Sequence, residues 1–207
     1  MLQFLLAVIS AYLIGSIPTG YILGRMTKGV DIRQHGSGNV GATNALRVMG
    51  KTAGAIVLGA DMVKGAVCVA LLPILFYSCQ LQMSLPAFRA FIAASAIAGH
   101  IWTIFLKFKG GKGVATTCGV CLVLSFVPTA AALLIFIIAL KITKYVSLSS
   151  IIMAFSLPIL MLLFRQPFEY ILFGIILFFV ISYTHRENIN RLMQGKENRI
   201  GGDKSIR

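Results

Sequence analysis

Three polar stretches interrupt an otherwise apolar chain, and each carries residues suited to binding charged groups. The first runs Gly36-Ser37-Gly38-Asn39-Val40-Gly41-Ala42-Thr43-Asn44-Ala45-Leu46-Arg47. Its glycines permit positive φ and a close backbone approach to a ligand. Ser37, Asn39, Thr43 and Asn44 add hydrogen-bonding side chains. Thr43 or Asn44 suits the N-cap of a short helix ending near Gly50, with Arg47 one turn in. Helix N-termini attract anions, so the pattern points to a phosphate or carboxylate ligand. The second stretch is Lys107-Phe108-Lys109-Gly110-Gly111-Lys112-Gly113-Val114-Ala115-Thr116-Thr117. Consecutive glycine N–H groups, a lysine and a helix start make an anion nest. It is not a Walker A loop, because Gly113 follows Lys112 where Ser or Thr is required. Lys107 and Lys109 read as interface anchors and Lys112 as a ligand-binding group, with the Thr116 and Thr117 hydroxyls one turn further on. The third is Tyr183-Thr184-His185-Arg186-Glu187-Asn188-Ile189-Asn190-Arg191-Leu192. His185 and Asn188 share a helix face, and Glu187 is spaced to pair with Arg191.

The elements between these stretches must be membrane helices. The chain has 207 residues, 57% of them hydrophobic and only 12% charged, with a mean hydropathy of +0.87. Apolar segments read 2–24, 53–77, 86–106, 113–143, 147–164 and 168–184. They are continuously apolar rather than alternating, which predicts helices and not a barrel. The fourth holds 31 residues, about 46 Å as one helix against a hydrocarbon core of about 30 Å. Pro128 offers a break. Charge decides the matter. One long helix leaves nine basic residues on each side, whereas a split near Pro128 puts sixteen inside and only Arg89 and Arg165 outside. The expectation is therefore an all-α polytopic membrane protein. It has seven transmembrane helices in a single domain over 1–207, the fourth and fifth covering 113–127 and 128–144. The N-terminus lies outside, since no basic residue precedes Arg25, and the C-terminus is cytoplasmic. All three polar stretches then face the cytoplasm.

The net charge of +13 fits the positive-inside bias and an attraction for anionic substrates; it does not call for nucleic acid. Cys118 and Cys121 form a C-x-x-C, but no second pair or histidine accompanies them, so with Cys68 and Cys79 they read as small apolar residues and not as metal ligands. Six carboxylates, none paired in a cytoplasmic loop, argue against a multi-carboxylate Mg²⁺ site. Neither an H-x₄-D motif nor a G-x-S-x-G elbow is present. No metal and no cofactor is expected. Asp61 and Lys64, one helical turn apart inside the second span, are either functional or a neutralising pair; His35 and His100 are uninformative alone. A transporter for a phosphorylated metabolite would share a basic pocket, but the external halves of the spans lack the polar residues it needs.

The stretches GSIPTGYILGR, GSGNVGATNALRVMGKTAG, GHIWTIFLKFKGGKGVAT and HRENINRL, in this order and spacing, resemble the bacterial acyl-phosphate:glycerol-3-phosphate acyltransferase family (PlsY) over nearly the whole chain. The resemblance implies seven spans and a cytoplasmic active site in the bacterial inner membrane. It implies transfer of a fatty acyl group from acyl phosphate to the 1-hydroxyl of glycerol 3-phosphate, the first acylation of phospholipid synthesis. Ser37, Lys112 and His185 are the implied catalytic residues. Ser37, Arg47, Lys112, His185 and Asn188 match positions around glycerol 3-phosphate, and Asn39, Gly110, Gly111, Lys112, Gly113 and Thr116 positions around acyl phosphate. The implied partners are the two substrates, the bilayer and the soluble enzyme that makes acyl phosphate. Either His185 or a substrate phosphate can take the hydroxyl proton. The tail from Ile200 to Arg207 has no counterpart.

Overall fold

The computed structural model describes residues 1–78 and 81–200; Cys79 and the tail beyond Ile200 lie outside the described residues. Among the described residues the protein is helical throughout: α1 (Leu2–Ser16), α2 (Thr19–Lys28), α3 (Ala42–Met49), α4 (Lys51–Phe76), α5 (Leu85–Ile101), α6 (Val114–Leu124), α7 (Phe126–Thr143), α8 (Val146–Leu163), α9 (Phe168–Thr184) and α10 (Arg186–Met193). The chain forms two compact units, the first Met1–Leu124 and the second beginning at Ser125.

In the first unit the expected span 2–24 is broken at Ile17-Pro18, where Ile17 is held extended (φ −57°, ψ 114°). Proline causes this: it lacks an N–H and disfavours the α conformation in the residue before it. The break frees carbonyls that would be costly in an apolar setting. Thr103 Oγ1 donates to the Ser16 carbonyl at 2.6 Å and Lys64 Nζ to the Ile17 carbonyl at 2.9 Å. Lipid offers no hydrophobic drive between helices, so packing rests on close approach and interhelical hydrogen bonds, each worth about 0.6 kcal/mol. A Cβ on Gly99 of α5 would overlap the Tyr12 carbonyl of α1, and one on Gly119 of α6 the Met62 carbonyl of α4. Ser95 Oγ adds a bond to the Val8 carbonyl at 2.6 Å.

The segment 113–143 divides into two helices, but at Ser125 (φ −155°, ψ 73°) and not at Pro128. In a continuous helix the Pro128 ring would meet the carbonyl four residues back, that of Leu124. The chain therefore breaks between them, and Pro128 falls in the first turn of α7, where its missing N–H costs nothing. The first helical bond after the break, Thr129 N–H to the Ser125 carbonyl, is 3.1 Å. In the second unit α8 packs on both α7 and α9, with Phe155 edge-on to Phe178 at 5.5 Å.

Among the described residues five helical segments are long and apolar enough to cross a membrane: Leu2–Lys28, Lys51–Phe76, Leu85–Leu106, Phe126–Thr143 and Val146–Leu163. Phe168–Thr184, bent by 62° from Arg186–Met193, makes a sixth. Helix α6 has 11 residues, about 16 Å, roughly half of a hydrocarbon core.

Candidate active site

Both loops of the first unit are fixed by buried side chains. Asp31 starts the first loop by capping a short turn, accepting from the Arg33 N–H at 3.0 Å. It also takes the Arg33 guanidinium in a two-pronged pair of 3.0 and 2.7 Å. Hydrogen bonding by that guanidinium, against the opposing effect of burial, holds the Asp31 carboxyl at about 2. Asn44 is buried in the first turn of α3 and organises the rest. Its Nδ2 lies 3.0, 3.0 and 2.8 Å from the carbonyls of Ile32, His35 and Asn39, and its Oδ1 accepts the Ser37 N–H at 2.8 Å. Asn44 is thus the hub of the loop that presents Ser37, not the cap that its spacing allowed. Gly36 (φ 62°) and Gly38 (φ 72°) occupy the left-handed region on either side of Ser37. Ser37 is exposed, and Arg47 is half-buried in α3.

Asn39 ties this loop to the glycine-lysine loop. Its Oδ1 accepts the Gly41 N–H at 2.9 Å and its Nδ2 donates to the Gly110 carbonyl at 3.4 Å. The N–H groups of Gly110 and Gly111 donate to the carbonyls of Ile101 and His100, each at 2.9 Å. These two glycines were expected to offer N–H donors to a phosphate. Their donors are turned inward instead, onto the last turn of α5, whose carbonyls have no helical partner. The N–H groups at this end that have no acceptor within a helix belong to the first turn of α6, after Gly113 (φ 86°). Lys112 is half-buried, whereas Lys107 and Lys109 are exposed. Thr116 and Thr117 are buried, their hydroxyls without a hydrogen-bond partner among the described residues.

In the second unit His185 ends α9 and starts α10. It is buried, and its Nδ1 lies 2.8 Å from the Ile181 carbonyl. A carbonyl can only accept, so this geometry assigns the proton to Nδ1 and makes Nε2 the basic nitrogen of the neutral ring. Asn188 lies one turn on, also buried, and donates to Glu197 Oε1 at 2.6 Å. Ser147 Oγ donates to the same oxygen at 2.9 Å, and Arg191 Nε to Oε2 at 2.8 Å. Burial alone would raise the Glu197 carboxyl; the three donors, Asn188, Arg191 and Ser147, outweigh it and hold the group below its ordinary value. The expected Glu187–Arg191 pair is not formed, because Glu197 offers Arg191 a carboxylate already buried and hydrogen-bonded. Glu197 carries no motif signature of its own; only the fold of the chain after α10 brings it back to Asn188.

A third cluster lies within the first unit, between α2, α4 and α5. Asp61 Oδ1 is 2.8 Å from Lys64 Nζ, 3.5 Å from His100 Nδ1 and accepts from Thr19 Oγ1 at 2.7 Å. The adjoining cavity of about 10 Å³ holds one water at most. Cys68, Cys118 and Cys121 are buried. Among the described residues no three His, Cys, Asp or Glu side chains stand close enough to hold a metal.

Apolar spans with polar, cation-bearing loops define the class: a multi-pass helical membrane protein. The chain belongs to the glycerol-3-phosphate acyltransferase family, whose model matches residues 5–195. It is 43% identical to the glycerol-3-phosphate acyltransferase of Desulforudis audaxviator, with 96% of each chain covered. It is 46% identical to that of Rippkaea orientalis, over 95% of this chain and 92% of that one. The crystal structure of PlsY (YgiH), an integral membrane glycerol 3-phosphate acyltransferase, in its glycerol 3-phosphate form superimposes with a TM-score of 0.87, at 36% identity over 96% of both chains. Its lysophosphatidic acid form gives 0.85.

Proposed function

We propose that this protein transfers a fatty acyl group from acyl phosphate to the 1-hydroxyl of glycerol 3-phosphate, forming 1-acyl-glycerol 3-phosphate and inorganic phosphate. The observation that carries the reading is the likeness, over 96% of the chain, to an acyltransferase solved with glycerol 3-phosphate and with lysophosphatidic acid. Those two molecules differ by one acyl group. In this reading Ser37, Arg47, Lys112, His185 and Asn188 hold glycerol 3-phosphate. Asn39, Lys112, Gly113 and Thr116 hold the acyl phosphate, and Gly110 and Gly111 shape the loop that does so.

Acyl phosphate is a mixed anhydride, already activated, so attack by an alcohol needs positioning and charge stabilisation more than a covalent nucleophile. The acceptor oxygen bonds to the acyl carbon. The bond from that carbon to the phosphate oxygen breaks, and the phosphate departs with the electron pair beside the Lys112 ammonium. The hydroxyl proton passes to His185 Nε2 or to a substrate phosphate oxygen. The acyl tail stays in the bilayer, the reaction takes place at the cytoplasmic face of the bacterial inner membrane, and a soluble enzyme making acyl phosphate supplies the donor.

The test offers purified protein glycerol 3-phosphate with acyl phosphate, acyl-CoA or acyl carrier protein thioester in separate reactions. Phosphate and lysophosphatidate should appear in equal amounts, with acyl phosphate only. Turnover from a thioester but not from acyl phosphate overturns the donor assignment, and phosphate release without glycerol 3-phosphate overturns the transfer.

A further inference from the structure

The glycine-lysine loop stands on the end of α5, and the end of α5 stands on a buried ionic cluster. The last carbonyls of a helix have no partner within it. At the end of α5 those of His100 and Ile101 take the N–H groups of Gly111 and Gly110, each at 2.9 Å. The Nε2 edge of the His100 ring abuts the loop: a Cβ on Gly111 would overlap it. The other edge of the ring faces Asp61, with Nδ1 at 3.5 Å from Oδ1. Asp61 is itself fixed by Lys64 at 2.8 Å and Thr19 at 2.7 Å. From the opposite side Asn39 reaches the Gly110 carbonyl. Lys112 follows directly after this doubly held dipeptide.

Extending the reading under Proposed function, we infer that His100, oriented by Asp61, is a positioning residue: it fixes the Gly110–Gly113 loop and so places Lys112 against the substrate phosphate. The adjoining cavity admits one water at most. Lys64 has a separate task. Its bond to the Ile17 carbonyl at 2.9 Å closes the break between α1 and α2, a structural duty in the membrane. His100 closes no such break. Its side chain touches Asp61 on one edge and the loop on the other, as a positioning group would.

The experiment combines kinetics with amide hydrogen exchange on purified wild type, His100→Asn and Asp61→Asn. His100→Asn keeps a donor toward Asp61 and removes the ring from Gly111. Asp61→Asn is isosteric and covers the case in which the first variant fails to fold. Exchange at the Gly110–Gly113 amides should accelerate about 10-fold while amides within α4 and α5 keep their protection. In acyl transfer, kcat should fall about 30-fold, consistent with a displacement of about 1 Å or less at Lys112, with KM for glycerol 3-phosphate changed by less than about threefold. In a Lys112→Ala background the same substitutions should have no further effect on the residual turnover, because they act through Lys112. Unchanged loop exchange overturns the inference, as does full additivity with Lys112→Ala. If the wild type forms no lysophosphatidate, the proposed function falls, and loop exchange still decides whether the cluster holds the loop.

Discussion

Lys112 separates a catalytic group from a membrane anchor. An anchor needs only positive charge near headgroups, so arginine would serve. A phosphate ligand in a glycine-framed loop is held as a point charge, and the larger planar guanidinium does not replace it. Lys112→Ala and Lys112→Arg should both fold and both lose at least about 10²-fold in turnover, the effect of one lost electrostatic stabiliser. Lys107→Arg, at an exposed position, should be near normal. Lysophosphatidate formation by the purified variants checks this, and retention of most activity by Lys112→Arg would reduce the loop to an anchor. Glu197 makes a different prediction. Its three donors hold it below its ordinary value of 4.5. A depressed carboxyl stabilises the fold above its unfolded pKa, and that stability is lost as pH falls through the folded one. Glu197→Gln should melt about 5 °C lower than wild type at neutral pH, the loss of a charged hydrogen-bond acceptor. The gap should narrow as pH falls below 4.5. A gap constant across that window would show that the carboxylate charge contributes nothing.

At the scale of elements, the loop before α3 depends on one side chain. Asn44 reaches three carbonyls and one N–H, and only an amide supplies donor and acceptor together. Asn44→Asp would set a carboxylate oxygen against three carbonyls. It should release Ser37, cut turnover more than about 10²-fold and cost several kcal/mol in stability, as expected for buried polar groups left without partners. Proteolysis within 35–40 should increase in parallel. Normal protease resistance together with lost activity would mean that Asn44 acts on substrate and not on the loop. The break at Ser125 belongs to this scale too. The sequence marks Pro128, and the clash of its ring with the carbonyl four residues back moves the break to Ser125.

At the scale of the whole molecule, topology remains a prediction of charge. With Cys68, Cys79, Cys118 and Cys121 replaced by serine, a cysteine at Gln166 should be labelled by an impermeant reagent from outside intact cells. One at Asn198 should be labelled only after the membrane is opened. External labelling at Asn198 refutes the seven-crossing arrangement with its cytoplasmic C-terminus. Among the described residues five segments are long enough to cross and a sixth is bent. Helix α6, with 11 residues, is the element on which a seventh crossing depends. So short a helix can serve only beside other helices or in a thinned bilayer.

The sequence by itself determined the helical membrane class, the split of 113–143 and the family motifs, and it put forward Ser37, Arg47, Lys112, His185 and Asn188 as the residues of the proposed site. These are legible because hydropathy, charge bias, proline and glycine act locally along the chain. Only the tertiary structure decided what supports them. Asp61 and Lys64 announce themselves as ions inside a span, but their partners, His100 and the Ile17 carbonyl, are distant in sequence. Glu197 reaches Ser147 across 50 positions. Gly110 and Gly111 look like anion donors in sequence; their N–H groups point inward because α5 ends beside them with carbonyls to satisfy. Spacing shows which groups are present. Which partner each one takes depends on the burial of every unsatisfied donor and acceptor, and that is settled only when the helices pack.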